Sequence, residues 1–405
     1  MEEQALSDIK VLDLSWHIAA PYCTKLLADY GADVIKVERP GDGDLTRHMG
    51  PFFKDDPHPE KSGLFLHLNT NKKSITLNIK SDWGKKVIKE LVQDVDILVE
   101  SFRPGVMQRL GLDYETLQQI NSGLVMTSIS NFGQTGPYRD FKASDLIIYG
   151  MGGSMNTCGL PDREPTKKAL TAVLFSTGSM AALATMLALY AAKTQEVGQH
   201  VDFSLFEAQM VSIDRRMSDL LAYAYNNEIT PKEDPRDLYA FPYGIQPCAD
   251  GHWELSGIGA LWPGVGKMMG MPELIDDPRF NTIIAQLQPG HREEFYAIFI
   301  PWSFEHTKME CVKLGQEAGI LCGPLYNMEE LLNDPHFQAR GFWAEIDHPV
   351  TGKLTYPGRP IHAEMMRWVI RRPAPLMGEH NEEIYCGRLG YTREDLIKLK
   401  QARII

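Results

Sequence analysis

The stretch IKVLDLSWHIAAPYCTKLLADYGADVIKVE, residues 9–38, decides the fold. It begins and ends with short runs of aliphatic and β-branched residues, and a helical pattern lies between them. A strand, a crossover helix and a second strand at this spacing are typical of a parallel sheet. The same rhythm continues through SITLNI (74–79), DILVES (96–101) and LVMTSIS (124–130). The sequence therefore predicts an α/β protein built on a parallel sheet.

Composition limits the class of protein. The chain has 405 residues, a formal net charge of −12 and 43% hydrophobic residues, which suits one large domain and a smaller one. The acidic balance argues against a nucleic-acid-binding surface, while a local basic pocket remains compatible with it. Six scattered cysteines lack CxxC spacing, so we expect reduced thiols and no metal site. The N-terminus lacks the pattern of a signal peptide, and we expect a cytoplasmic protein.

One apolar stretch raises the question of a membrane span. Residues 169–192 contain no Asp, Glu, Lys, Arg or His, and about 20 apolar residues suffice to cross a bilayer. Small polar residues interrupt the stretch at 176–179 and at Thr185, and no aromatic belt marks both of its ends. A helix that is apolar all round is usually buried inside a large domain. We therefore predict a core helix and no membrane contact.

The pattern changes in the second half of the chain. A polar passage containing prolines, residues 226–244, reads as a linker into a second unit. The segment 244–259 that follows predicts a hairpin with its turn at Asp250-Gly251. The last residues, 389–405, predict an amphipathic helix.

Basic residues follow several of the predicted strands. Arg39 comes after DVIKVE, Lys80 after SITLNI, and Arg103 and Arg109 after DILVES. Ligands bind at the carboxyl ends of parallel strands, where these cations are placed to meet phosphates. For each of them taken alone, an ordinary solvated surface charge is the favoured interpretation, because exposed Lys and Arg need no special explanation.

Several segments together resemble the family III CoA-transferases. They are residues 9–48, LNTNKKSITLNIK (68–80), DILVESFRPGVMQRLGL (96–112), SISNFGQTGPY (128–138), GQHVDFSLFEA (198–208), CADGHWEL (248–255), 319–342 and PLMGEHNEEI (375–384). The resemblance implies a large Rossmann-like domain, a small α+β domain and a C-terminal return to the large one. The expected boundaries are 1–220, 221–329 and 330–405. It also implies two subunits interlocked like links of a chain.

The resemblance implies a binding site for CoA along the large domain. Positions that match the family's CoA contacts are His17, Ile18, Arg39, Leu77, Lys80, Phe102 and Arg109. CoA and its acyl esters are then substrates, and neither a covalently bound cofactor nor a metal is expected.

The residue that carries the chemistry is missing from the matching position. Active relatives place an Asp at the start of the long apolar helix, where its carboxylate attacks the acyl thioester. That position matches Val173 here, so we expect no catalytic residue. The family also includes α-methylacyl-CoA racemases, whose acid–base pair of His and Asp matches Ser144 and Val173. Neither side chain transfers a proton in that role, and a racemase is not expected.

These matches lead to one main expectation and two alternatives. The main one is a non-catalytic subunit that works with a homologous Asp-bearing chain in a heterodimer or heterotetramer. Within the family it resembles the Asp-lacking subunits of succinyl-CoA:(R)-benzylsuccinate CoA-transferases of anaerobic toluene degradation. The first alternative is a self-sufficient homodimeric enzyme that uses Asp162, Glu164 or another displaced carboxylate as its nucleophile. The second is an acyl-CoA-binding protein without catalysis. Asp145, in the SDL segment, is interpreted as structural.

Overall fold

The computed structural model describes residues 4–168, 170–212, 216–232, 234 and 240–405. The chain divides into two compact units. The first unit comprises 1–156, 167–230 and 341–405, and the second comprises 157–166 and 231–340. These divisions fall at 230/231 and 340/341, later than the predicted boundaries at 220/221 and 329/330. The short segment 157–166 was not predicted as part of the second unit.

A six-stranded sheet forms the centre of the first unit. Its strands are β1 (Lys10–Leu14), β2 (Asp33–Glu38), β3 (Lys73–Thr76), β4 (Ile97–Glu100), β5 (Val125–Ser130) and β6 (Gln199–Ser204). They lie in the order β3-β2-β1-β4-β5-β6, and every neighbouring pair is parallel. The predicted α/β class with a parallel sheet is confirmed. The strand order reverses between β1 and β4, which is the point where such sheets bind ligands.

Helices cover both faces of this sheet. The described helices of the first unit up to residue 226 are α1 (Ala19–Asp29), α2 (Gly63–Leu68), α3 (Asp82–Val92), α4 (Val106–Leu110), α5 (Tyr114–Leu117), α6 (Asp145–Met151), α7 (Ala172–Gln195), α8 (Leu205–Ser212) and α9 (Arg216–Asn226). Helix α3 illustrates why they form: the Ser81 hydroxyl caps it by accepting from the Gly84 N–H at 2.9 Å. Its apolar residues Val87, Ile88 and Leu91 are buried against the sheet, as their helical spacing predicts.

Helix α7 is the apolar stretch, and it is buried on one side only. Gly178 lets it approach α1 so closely that a Cβ there would lie 2.5 Å from the Ala19 carbonyl oxygen. On the other side Leu183, Leu187 and Tyr190 are 62%, 62% and 71% exposed. Within the described residues it is the one helix long and apolar enough to cross a bilayer, and half of its most apolar window is buried in the protein. The prediction of a core helix holds for the face against α1 and is wrong for the opposite face.

The second unit has its own sheet and core. Strands β7 (Tyr243–Cys248), β8 (Gly251–Ser256) and β9 (Leu321–Pro324) pair antiparallel. Its helices are α10 (Trp262–Met269), α11 (Ile283–Gln286), α12 (His291–Phe304), α13 (Lys308–Glu317), α14 (Met328–Asn333) and α15 (Pro335–Ala339). The predicted hairpin is confirmed, but its two-residue loop is Ala249-Asp250, one residue earlier than predicted.

The C-terminal part of the chain returns to the first unit. It contains the antiparallel pair β10 (Trp343–His348) and β11 (Gly352–Pro357), a π-helix (Glu383–Arg388) and α16 (Arg393–Gln401). The Tyr385 hydroxyl donates to the Thr76 carbonyl at 2.8 Å, beside the edge strand β3. The Asn78 N–H donates to the Ile404 carbonyl at 2.7 Å, so the last residues lie next to the end of β3.

Candidate functional site

A cleft of about 1470 Å³ opens in the first unit at the carboxyl ends of β1, β2, β3 and β4. It therefore spans the point where the strand order reverses, which is the expected position for a ligand site in an open parallel sheet. Leu14, Val37 and Leu77 contribute apolar surface at the strand ends.

Five of the seven predicted CoA contacts line this cleft: Arg39, Leu77, Lys80, Phe102 and Arg109. They come from three separate stretches of the chain, and the parallel sheet brings them together. Their role in binding stays a prediction.

The other two predicted contacts are not among the residues that line the cleft. Ile18 precedes α1 and is buried in the core between that helix and the sheet. His17 has a left-handed backbone, with φ 73°, and its N–H donates to Asp44 Oδ1 at 3.4 Å. Burial lowers the pKa of His17, while the carboxylates of Asp44 and Asp145 oppose this effect.

The cleft is strongly basic, although the protein as a whole is acidic. Six of the side chains that line it are cationic: Arg39, Lys80, Arg103, Arg109, Lys400 and Arg403. Glu38 is the acidic side chain among the lining residues. The Arg47 guanidinium donates to both oxygens of the Glu38 carboxylate, with N–O distances of 2.7 and 2.8 Å. Because Arg47 neutralises this carboxylate, Glu38 leaves little free negative charge for the cleft. The site is therefore suited to a polyanionic ligand.

An aromatic group lies at the reversal point of the sheet. Trp16 follows β1 and Phe102 follows β4, and their rings meet edge to face with centroids 6.4 Å apart. The Arg39 guanidinium lies 4.7 Å from the centroid of the Trp16 ring. The backbone N–H of Trp16 donates to Ser101 Oγ at 2.9 Å. This hydrogen bond joins the loop after β1 to the loop after β4. Flat rings beside cations can accommodate a planar heterocycle that carries phosphates.

Sequence reasoning missed three of the lining residues that matter most. Trp16 had a signal, because it follows a buried strand in the same way as the predicted cations. Lys400 and Arg403 had none, because they lie at the far end of the chain and reach the cleft only through the packing of residues 399–405 beside β3.

A second group of polar residues surrounds the start of α6. Lys167 Nζ lies 2.7 Å from Asp145 Oδ2, and both side chains are largely buried. Asp145 Oδ1 is also buried and has no hydrogen-bond partner within the described part of the chain. Ser144, the position matched to the racemase His, precedes α6 and makes no side-chain capping bond.

The first turn of α7 carries no carboxylate. Val173 lies in the first turn and is 3% exposed, and Leu174 beside it is buried as well. The whole first turn, Ala172 to Phe175, is apolar, so a shift of one residue in the match would still place no carboxylate there. Asp162 and Glu164 are exposed residues of the second unit. No cluster of three or more His, Cys, Asp or Glu suited to a metal occurs among the described residues.

Comparison with known proteins gives consistent results along the chain. A model of CoA-transferase family III matches residues 6–381. A succinyl-CoA–D-citramalate CoA-transferase of Chloroflexus aurantiacus is 34% identical over 402 residues, covering 99% of this chain and 98% of that protein. A succinate–glutarate CoA-transferase of Agrobacterium fabrum is 33% identical over 389 residues, covering 94% of each chain.

Solved structures agree on the fold. A CAIB/BAIF family protein from Brucella suis superimposes with a TM-score of 0.83 at 28% identity, covering 95% of this chain and all of that one. Rv3272 from M. tuberculosis has a TM-score of 0.78 at 24% identity, covering 94% of this chain and 99% of the other.

Proposed function

This chain belongs to CoA-transferase family III, and we propose that it is the non-catalytic subunit of a heteromeric CoA-transferase. The observation that carries this proposal is the apolar first turn of α7. Transfer through a covalent intermediate requires a nucleophile with an available lone pair, and a buried valine has none. An unpaired carboxylate at such a buried position would be costly, so Val173 suits a stable fold better than it suits the chemistry.

The cleft is proposed as a binding site for CoA or its acyl esters. CoA combines an adenine ring, a diphosphate, a 3′-phosphate and a long pantetheine arm. The cations of the cleft are suited to bind the phosphates of CoA. Trp16 and Arg39 offer a surface on which the adenine ring can lie. The volume of the cleft exceeds that of an ordinary small-molecule pocket.

The proposed partner is a homologous chain that carries the catalytic Asp, in a heterodimer or heterotetramer. The exposed face of α7, with Leu183, Leu187 and Tyr190, supports an interface because large apolar surfaces are normally covered by another chain. In such an assembly this chain would complete the active site of its partner.

The proposed reaction moves CoA between succinyl-CoA and a carboxylate such as (R)-2-benzylsuccinate. The two curated relatives above are named for transfers that involve succinate or succinyl-CoA. Phe132, Tyr138 and Phe141, which follow β5, form an aromatic cluster with Phe206 of α8, and the Tyr138 and Phe141 rings are 4.9 Å apart. Tyr138 and Phe141 are partly exposed, and their surface favours an acceptor with a phenyl group.

The test measures CoA transfer from succinyl-CoA to a panel of dicarboxylates that includes benzylsuccinate. The purified chain is assayed alone and then with its Asp-bearing homologue. We expect no turnover by the chain alone, and activity in a stoichiometric mixture that disappears when the homologue's Asp is replaced by Ala. In that mixture Asp162→Ala and Glu164→Ala in this chain should retain full activity.

A self-sufficient enzyme is the second candidate, because Asp145 has one buried oxygen without a partner. Robust turnover by the chain alone would overturn the main proposal. Loss of that turnover in Asp145→Asn, Asp162→Ala or Glu164→Ala would then identify the displaced nucleophile. An acyl-CoA-binding protein without catalysis would instead form a stable homodimer, bind succinyl-CoA and leave the homologue's activity unchanged.

A further inference from the structure

The end of the chain forms part of the cleft wall. Lys400 lies in the last turn of α16, and Arg403 and Ile405 follow the helix; all three line the cleft. Lys400 and Arg403 are exposed, and neither forms an ion pair with any described residue. They lie in the same cleft as Lys80, Arg103 and Arg109, which likewise form no ion pair within the described chain. This concentration of positive charge is stabilised when an anion enters.

The position of this segment is well determined by backbone contacts and packing. Arg403 adopts a left-handed conformation, with φ 56°, which turns the chain back after α16. The Ile404 N–H donates to the Leu399 carbonyl at 2.9 Å, and the Ile404 carbonyl accepts from the Asn78 N–H at 2.7 Å. Ile404 and Ile405 pack against the core beneath β1, β2 and β3. The two cations are therefore carried by an ordered segment beside Lys80.

We propose that Lys400 and Arg403 bind a phosphate group of the nucleotide end of CoA. The inference rests on the proposed function, because it takes CoA as the ligand of the cleft. An arginine offers a planar fork of N–H donors to a phosphate, and a lysine adds a point charge. The C-terminal segment then makes this site selective for ligands that carry the phosphorylated nucleotide over pantetheine derivatives that lack it.

The test is direct binding, by calorimetry on the full chain, of CoA, 3′-dephospho-CoA and pantetheine. The variants are Lys400→Ala, Arg403→Ala, the double variant and Arg403→Lys. Lys398→Ala is the matched control, because it removes the same charge from the same helix at an exposed residue that does not line the cleft. We expect each alanine variant to weaken CoA binding about tenfold. We expect partial recovery in Arg403→Lys, and little change for pantetheine or in Lys398→Ala.

The outcomes separate this inference from its premise. Wild-type affinity for CoA in the double variant would overturn the inference and leave the proposed CoA site intact. Equal weakening by Lys398→Ala would also overturn it, because general attraction would then explain the effect. If the wild-type chain binds no CoA, the premise fails together with the inference. Selective loss of the preference for CoA over 3′-dephospho-CoA would support the assignment and identify the 3′-phosphate as the group bound.

Discussion

Glu100 makes the stability of this protein depend on pH in a way that one substitution can test. It ends β4 directly below the loop that carries Phe102 and is 3% exposed. Its Oε2 accepts from the Phe102 N–H at 2.7 Å. Burial raises the pKa of Glu100 from 4.5 to about 7, while hydrogen bonds from Ser128 and Phe102 partly oppose the rise.

The direction in which pH changes the stability follows from the raised pKa of Glu100. Because the pKa of the folded state lies above the unfolded value, the folded protein binds the proton more tightly. The stabilisation is complete below about pH 4.5 and is lost as the pH rises through about 7. A pKa change of this size corresponds to about 3 kcal/mol in total, of which about 2 kcal/mol falls between pH 5.5 and 8.5.

Replacing Glu100 by Gln removes the titration and preserves the shape. The amide oxygen still accepts from the Phe102 N–H. Ser128 Oγ lies 2.9 Å from His200 Nε2, and it can accept from the amide nitrogen when its hydroxyl hydrogen turns from residue 100 to that ring nitrogen. Urea unfolding of wild type and Glu100→Gln should therefore show the variant gaining about 2 kcal/mol relative to wild type from pH 5.5 to 8.5.

The control is Glu317→Gln, which makes the same substitution at an exposed position at the end of α13. A flat difference for Glu100→Gln would refute the reasoning. It would mean that the protein solvates the Glu100 carboxylate despite its burial. If the variant instead loses stability relative to wild type as the pH rises, the predicted direction of the pH dependence is wrong.

Three further perturbations test the packing and the cleft. Gly178→Ala should cost about 1–3 kcal/mol in urea unfolding because its Cβ would lie 2.5 Å from the Ala19 carbonyl oxygen, whereas Gly323→Ala, with no atom within 4 Å, should stay within about 0.5 kcal/mol. Arg47→Ala should lower the free energy of unfolding by about 3–5 kcal/mol, because it leaves the buried Glu38 carboxylate unpaired. In a double-mutant cycle, the double variant with Glu38→Gln should recover part of that loss. Raising the NaCl concentration from 50 to 500 mM should weaken CoA binding several-fold, because the cations of the cleft are exposed to screening; a salt-independent affinity would contradict an electrostatic site.

The strands that the sequence predicts are those whose burial is visible in a short window. Strands β1 to β5 are rich in aliphatic and β-branched residues because both of their faces are covered. Strand β6 was not predicted because it exposes His200 and Asp202, whereas β3 at the opposite edge of the sheet is largely buried. Its position in the sheet comes from its pairing with β5, and no local sequence pattern predicts that pairing.

Which face of α7 is buried could likewise not be predicted from a local pattern. Its composition predicts burial, but the hydrophobic pattern has no polar side that would indicate which face meets the sheet. Packing against α1 and β5 selects one face, and Leu183 and Leu187 remain exposed within this chain.

The chemical identity of the site's side chains was determined by the sequence alone. No carboxylate occurs between Lys168 and Lys193, and that absence follows from composition and needs no coordinates. The cations after β2 and β3 could also be predicted, because strand ends are local features. Only the tertiary structure placed Lys400 and Arg403 in the same cleft as Arg39. Propensity acts over a few residues, whereas the meeting of residues more than 300 positions apart depends on strand order and on the packing of the returning chain.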